Sequence, residues 1–194
     1  MAEQPSLFDG AEIQTTSFRY QEAANLWMSQ EALAQWKRRI AEFQYQVRFS
    51  PFEEQGSLFE ETAATTKAMA IDPFSLYLYN FFFFEQPASQ HPDKPSMYFV
   101  IDMQVPLLLY VGETVKANQR WKGVHDCKRY VLNYRDLHTK YGLETAINTA
   151  FYWDIPAEVR PRQALETALI ERWRSPFNKE NWTFWGTPFV GGKY

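Results

Sequence analysis

The sequence predicts an α/β (α+β) fold: a small β-β-α-α-β-α domain with a central mixed sheet, preceded by a mainly helical N-terminal extension. Three observations predict this fold: a hairpin pattern of two apolar runs around a proline turn, a later third apolar run, and helical periodicity before and after them. The 194 residues suit one such domain with an extension. We expect a flexible tail at 1–16, a helical extension and linker at 17–95, and the α/β domain at 96–194.

The N-terminal half contains one strong helical signal. Within 17–48, apolar residues recur at three-, four- and seven-residue steps, as an amphipathic helix requires. They are Leu26, Leu33, Trp36, Ile40 and Phe43. The adjacent cations at 37–39 fit a solvated face better than a DNA-binding one. Pro51, Gly56 and four acids mark 50–66 as a linker or loop, and the aromatic-rich segment 71–84 is expected to pack against the domain that follows.

The C-terminal half supplies the domain itself. We predict strands at 97–102 and 107–111, joined by a turn at Pro106, and a third strand at 146–155. Gly112 follows the second strand, and Thr114 is expected to cap a helix.

Three helices complete the predicted domain. They are expected at 115–121, at 126–140, and from Pro161 to about residue 173, where Leu165 and Leu169 lie on one apolar face.

Composition narrows the function classes. The net charge of −3 is not that of a protein that coats DNA without specificity, so any nucleic-acid site must be a local patch. Cys127 is the only cysteine, which excludes an internal disulfide, and no apolar run reaches the roughly 20 residues that span a bilayer. We expect no membrane partner and, because the N-terminus is polar and acidic, no signal peptide. The sequence therefore favours a soluble cytoplasmic protein.

Two short tyrosine motifs lie on the predicted hairpin: Ser-Met-Tyr at 96–98 and Tyr-Val-Gly at 110–112. Arg120 lies ten residues beyond the second motif's tyrosine. The last predicted helix carries Glu166, and Asn178 follows it after twelve residues and a Ser-Pro turn.

This joint pattern resembles the GIY-YIG nucleases, and its spacing is most similar to the nuclease module of bacterial excision-repair proteins. The resemblance covers 96–178, about 83 residues. It implies a metal-dependent endonuclease that uses Mg²⁺ or Mn²⁺ to hydrolyse DNA phosphodiester bonds. Ser96 departs from the family's glycine, and the twelve-residue interval from Tyr98 to Tyr110 implies a longer hairpin turn.

The resemblance also implies a role for each motif residue. Glu166 would hold the metal, which acts as a Lewis acid at the scissile phosphate. Arg120 would offer a planar, permanently charged fork to phosphate. Tyr98 or Tyr110 would orient or deprotonate the attacking water, the second role requiring a nearby cation. Asn178 would hold the last turn of the site together or position a tyrosine.

Three further residues are candidate helpers. Glu113 stands where many family members carry lysine or glutamine. Because an acid near a phosphate is unfavourable, Glu113 either points away, adds a metal ligand or reduces activity. His125 and Tyr130 lie beyond Arg120 and are candidate helpers, although His125 fits an ordinary surface residue equally well.

Basic residues around the first and last helices of the domain are candidate contacts to the DNA backbone, where they would make affinity fall with salt. They are Lys116, Lys122, Lys128, Arg129 and Arg162.

A pentapeptide pattern, with Gln first and Leu-Phe last, occurs at 4–8 and again at 55–59. It resembles the pentapeptide by which bacterial replication and repair proteins dock on the DNA sliding clamp, where Leu and Phe enter an apolar pocket. The residues concerned are Gln4, Leu7, Phe8, Gln55, Leu58 and Phe59. The alternative for the second copy is packing on the protein's own core.

Three function hypotheses follow. The first is a structure-directed DNA endonuclease of repair, recombination or replication, recruited by the sliding clamp. The second is a non-catalytic adaptor that binds nucleic acid and the clamp. The third is a restriction-type nuclease.

Overall fold

A computed structural model describes residues 28–49, 63–81, 94–115 and 126–186. In these ranges lie five α-helices, two 3-10 helices and four strands. The α-helices are α1 (Gln30–Phe49), α2 (Ala63–Ala70), α3 (Asp126–Lys140), α4 (Val159–Trp173) and α5 (Trp182–Trp185). The strands are β1 (Leu78–Asn80), β2 (Ser96–Asp102), β3 (Leu107–Thr114) and β4 (Ile147–Tyr152), and the 3-10 helices span Pro73–Ser75 and Lys179–Asn181.

The four strands form one sheet in the order β1-β4-β2-β3, and every neighbouring pair is antiparallel. The predicted mixed sheet is therefore wrong for the described strands. The connection through α3 does bring β4 back parallel to β3. However, β4 joins the far side of β2, so the two parallel strands never become neighbours.

Most predicted elements of the domain are confirmed. The α3 helix has the expected bounds, and the hairpin, the third strand and the last helix are present. The second strand is longer than predicted, because Gly112 and Thr114 pair with Tyr98 and Ser96 of β2 instead of leaving the sheet. The helix expected at 115–121 lies outside the described residues except for Val115.

Two layers of helices enclose the sheet. On one face, Leu33 and Ile40 of α1 and Val131 of α3 are buried with Tyr98 and other residues of the strands. On the other face, Leu165, Leu169 and Trp173 of α4 pack with Met97 and Phe99 of β2, and Ala68 of α2 joins them. The described residues of both predicted apolar helix faces thus point into the core, while Leu26 of the first face lies outside the described ranges.

The aromatic-rich segment after α2 contributes a strand that the sequence pattern did not indicate. Leu78 and Asn80 of β1 pair with Ala150 and Asn148 of β4. Phe81 is buried in the core cluster that also contains Leu33 and Ile40 of α1. The expected packing of this segment against the domain is therefore confirmed for its described part.

A buried polar network ties α1 to the far end of β2. The carboxylate of Asp102 accepts hydrogen bonds from Lys37 Nζ at 3.3 Å and from the Tyr134 hydroxyl at 2.7 Å. Lys37 Nζ also lies 3.0 Å from Nε2 of His138. Lys37, expected on a solvated face, is buried because its stem covers the core while its ammonium meets Asp102.

No helix within the described ranges is long and apolar enough to cross a membrane.

Candidate functional site

The two motif tyrosines meet above the glycine of the second motif. Tyr98 lies directly opposite Gly112 in the antiparallel register. The rings of Tyr98 and Tyr110 are tilted by 31°, with centroids 5.7 Å apart. A methyl group at Gly112 would lie 2.7 Å from Cε1 of Tyr110 and 2.5 Å from the Tyr98 hydroxyl oxygen, closer than real contacts allow. Glycine is therefore required here by space, since its absent side chain leaves room for both rings.

A β-bulge interrupts β3 just before Tyr110. The register shifts between Val100 and Ile101, which pair with Tyr110 and Leu108, so Leu109 is the extra residue. Leu109 and Tyr110 both pack with the same core cluster as Tyr98. Without the extra residue, strict alternation would place Tyr110 on the opposite face from Leu109. Tyr98 and Tyr110 share this face because the register is unbroken from the Tyr98–Gly112 pair to the Val100–Tyr110 pair, and the bulge turns Leu109 to the same face.

Glu166 reaches the same segment of β3 from helix α4. Its Oε1 accepts a hydrogen bond from the backbone N–H of Glu113 at 3.0 Å, and its side chain is half-buried. The Glu166 carboxylate and the Tyr98 hydroxyl therefore converge on the consecutive residues Gly112 and Glu113. Since α4 packs on one face of the sheet and the tyrosines lie on the other, the carboxylate reaches the strand at its open edge.

The negative charge of Glu113 is balanced by an ion pair within the protein. Its Oε2 accepts a hydrogen bond from Nε of Arg162, whose side chain is only 3% exposed. Arg162 also donates from Nη1 to the Ala157 carbonyl oxygen at 2.7 Å. Arg162, predicted to contact the DNA backbone, is instead enclosed and bonded within the protein, because the acid of β3 draws it inward.

Asn178 fastens the edge of β3 at the residue between the motif tyrosine and the glycine. Its Oδ1 accepts from the Val111 N–H at 2.9 Å, and its Nδ2 donates to the Val111 carbonyl at 2.8 Å. The Ser175 hydroxyl donates to the same Oδ1 at 2.6 Å, and Phe177 N–H donates to the Leu109 carbonyl at 2.9 Å. Asn178 is thus bonded to Val111 of β3 and to Ser175 of its own turn.

The turn that carries Asn178 begins where α4 stops. The helix ends at Trp173, and Arg174 adopts the left-handed conformation with φ 44° while its N–H donates to the Ile170 carbonyl. A non-glycine residue in this conformation reverses the chain at the helix end. The reversal directs Ser175–Asn178 back onto β3.

Of the candidates on α3, Tyr130 belongs to the same buried cluster as Tyr98. Tyr130 is buried, with its ring edge-on to Phe177 and Trp182 at centroid distances of 6.0 Å. Arg129 pairs with Asp126 at 3.1 Å and lies over the Tyr130 ring, and Lys128 is half-buried on the same turn. The environment of Tyr130 is that of a core residue, which does not favour the helper role.

Several predicted site residues lie outside the described residues. Among the domain's candidates these are Arg120, His125, Lys116 and Lys122. The candidate clamp-binding residues Gln4, Leu7, Phe8, Gln55, Leu58 and Phe59 lie outside them as well.

Glu166 is the residue in this part of the described structure that could hold a divalent cation. Within the described ranges no three acids, histidines or cysteines group together as metal ligands. Mg²⁺, however, usually keeps several waters and is bound by one or two carboxylates together with substrate phosphates. Glu166 supplies one such carboxylate, which is half-buried and oriented by a backbone amide.

Sequence reasoning missed the contribution of Ser175 and Arg162 to this site. Ser175 stands in the Ser-Pro turn and reads only as a helix stop, although its hydroxyl orients Asn178. Arg162 was predicted to contact the DNA backbone, and only its spacing of one turn from Glu166 could have indicated that both face the same neighbour.

Comparison with known proteins adds no relative: no protein-family model, no curated protein and no solved structure matches this chain.

Proposed function

We propose that this protein is a metal-dependent endonuclease that hydrolyses DNA phosphodiester bonds, directed to DNA structures that arise in repair, recombination or replication. The observation that carries the proposal is the convergence of Tyr98, Tyr110 and Glu166 on Gly112 and Glu113, with Asn178 fastened to Val111 between them. Residues far apart in sequence, chosen by their motif spacing alone, thus lie around three consecutive backbone positions.

Each residue has a defined task in the proposed reaction. Glu166 would hold Mg²⁺ or Mn²⁺, which supplies Lewis-acid stabilisation at the scissile phosphate. The hydroxyl of Tyr98 or Tyr110 would orient or deprotonate the attacking water, the second role requiring a nearby cation. Arg120 would bind a phosphate oxygen through its guanidinium fork. Asn178 keeps Val111, and with it both neighbours of that residue, in place.

The contacts of Glu113 weaken the adaptor alternative. That alternative rested on an unfavourable acid beside the phosphate. Because the Glu113 carboxylate is bonded to the enclosed guanidinium of Arg162, its charge is balanced within the protein. An acid in this state repels a phosphate much less than an isolated one.

The test is cleavage by the purified protein with Mg²⁺ or Mn²⁺ on a panel of plasmid, flap, fork and four-way-junction DNAs. We expect cleavage of at least one branched substrate, reduced by about 100-fold or more in Glu166→Ala. Glu171→Ala, an exposed acid on the same helix, is the matched control and should cut normally.

The other outcomes separate the alternatives. Equal cleavage by Glu166→Ala and wild type would remove Glu166 from the site. Binding without cleavage on every substrate would select the adaptor, and cutting at one fixed sequence in ordinary duplex would select a restriction-type enzyme.

We also propose the sliding clamp as the partner that recruits the nuclease, on the strength of the two pentapeptides alone. Its test is direct binding to a purified clamp.

A further inference from the structure

Two residues one turn apart on α4 contact the same residue of β3. Arg162 and Glu166 are four positions apart, so they project from one side of the helix. Arg162 Nε donates to the Glu113 carboxylate, and the Glu113 N–H donates to Oε1 of Glu166 at 3.0 Å. Glu113 therefore holds the helix by its side chain and by its backbone at once.

The ion pair between Arg162 and Glu113 has little freedom to move. The Arg162 side chain is 3% exposed and that of Glu113 is 22% exposed, so water competes little for either group. The guanidinium is fixed a second time, by the bond from Nη1 to the Ala157 carbonyl just before the helix begins. A planar guanidinium held at two of its edges leaves the first turn of α4 little freedom to rotate about its axis.

We propose that the Glu113–Arg162 ion pair is a positioning device for Glu166, which holds the Glu166 carboxylate against the Glu113 amide and so fixes the oxygen offered to the divalent cation. The pair acts through Glu166 and touches neither metal nor phosphate. This inference rests on the proposed function, because the task of Glu166 is taken from it. It also explains why this chain carries an acid where a cation would be expected: a lysine at 113 would face the enclosed Arg162.

Two other roles for Glu113 make different predictions. If Glu113 were itself a metal ligand, releasing it from Arg162 would strengthen metal binding. If the pair only stabilised the fold, breaking it would lower the stability of the whole sheet edge and leave the geometry of Glu166 unchanged in the molecules that remain folded.

The first experiment measures amide hydrogen exchange by NMR, which needs neither metal nor DNA. The Val111 N–H is the internal control, because it lies two residues away on the same strand edge but is bonded to Asn178. In Arg162→Gln we expect exchange at Glu113 to become about 10-fold faster or more, with Val111 unchanged. In the double variant Glu113→Gln with Arg162→Gln, two uncharged amides can bond to each other, and protection at Glu113 should return.

Opposite results in the exchange experiment are equally clear. Equal acceleration at Glu113 and Val111 would show a purely stabilising pair and overturn the proposal. Unchanged exchange at Glu113 would overturn it as well. The double variant guards against a misfolded single variant, since it removes both charges together and leaves no enclosed ion without a partner.

The second experiment measures Mn²⁺ affinity by calorimetry without DNA, well below the melting temperature of each variant. Outer partners of a metal ligand typically change metal affinity by about 10- to 100-fold, so Arg162→Gln should bind at least about 10-fold more weakly. The double variant should recover to near wild type. Tighter binding by Arg162→Gln, with binding lost in the double variant, would identify Glu113 as a ligand and overturn the proposal.

Failure of the proposed function has a separate signature. If wild type and Glu166→Ala both bind no Mn²⁺ and cleave nothing, the nuclease assignment fails. The exchange experiment then still decides whether the ion pair holds Glu166 to β3.

Discussion

The side-chain amide of Asn178 forms two hydrogen bonds with the backbone of Val111, one from each of its polar atoms, and so completes the edge of β3 as a neighbouring strand would. The same edge is completed elsewhere by Gln44, which bonds both the N–H and the carbonyl of Leu108. Glu166 takes the N–H of Glu113. Three side chains from separate parts of the chain therefore cover an edge strand that would otherwise present unpaired backbone groups.

Replacing Asn178 should show how far the tyrosine motif depends on this pairing. We expect Asn178→Ala to lower the free energy of unfolding by about 1–3 kcal/mol, because the buried N–H and carbonyl of Val111 lose their partners. Asn178→Asp should destabilise more, since a carboxylate oxygen would then face the Val111 carbonyl oxygen. Urea denaturation of both variants is the measurement, and equal stability of Asn178→Asp and wild type would contradict this reading of the bonds.

Gly112 should tolerate no side chain. In Gly112→Ala the new methyl would overlap the rings of Tyr98 and Tyr110, and neither strand backbone can retreat without breaking the register. We expect a loss of about 1–3 kcal/mol in the free energy of unfolding, the usual range for overpacking, and loss of DNA cleavage.

Gly142 offers the matched control for that substitution. It has a φ of +63° and open space around its Cα, so Gly142→Ala strains the backbone without touching the tyrosines. It should cost about 1 kcal/mol and leave cleavage intact. Normal cleavage by Gly112→Ala would show that the packing of the two rings does not matter for activity.

Local sequence patterns predict most helices and strands of the domain. The elements that these patterns do not predict depend on pairing between residues far apart in the sequence. The 126–140 helix and the α4 face of Leu165 and Leu169 follow from periodicity, which needs no knowledge of the partner surface. The three-residue strand β1 has no room for an alternating pattern, and only its pairing with β4 makes it a strand. The antiparallel sheet likewise depends on which side of β2 receives β4.

Buried polar residues were the harder part of the site to predict. Glu166, Asn178 and the two tyrosines, grouped by motif spacing, all lie around β3. Arg162 was expected to contact the DNA backbone, which requires an exposed guanidinium. Its burial accompanies the ion pair with Glu113. The local sequence around either residue does not indicate that the two side chains pair.

The pentapeptide at 4–8 leads to a prediction about recruitment. We expect Leu7→Ala with Phe8→Ala to weaken binding to a purified bacterial sliding clamp by about 10-fold or more, because two apolar anchors would leave their pocket. Surface plasmon resonance is the measurement. The same pair of changes at Leu58 and Phe59 tests the second copy, and a protein changed at both copies that still binds like wild type would rule out both peptides as clamp ligands.

His138 should make the protein less stable in mild acid. Its Nδ1–H donates to the Tyr134 carbonyl, and Nε2 accepts from Lys37 Nζ, so the folded protein holds the ring neutral. Burial first, and then the charge of Lys37, lower the pKa of His138 below its usual 6.5 against the opposing effects of the Tyr134 carbonyl and Asp102. A pKa lowered in the folded state means that the stability it contributes is present above pH 6.5 and is lost as the pH falls through the folded value.

The measurement is the free energy of unfolding between pH 7.5 and pH 5 for wild type and His138→Gln. An amide at 138 can keep an uncharged acceptor near Lys37 but cannot take up a proton, so its stability should fall less steeply with acid than that of wild type. Asp102 faces the same network, yet its carboxylate is common to both proteins, which makes the difference between the two curves specific to His138. Parallel curves would mean that the ring does not resist protonation in the fold, and the tie between α1 and α3 would then be insensitive to pH in this range.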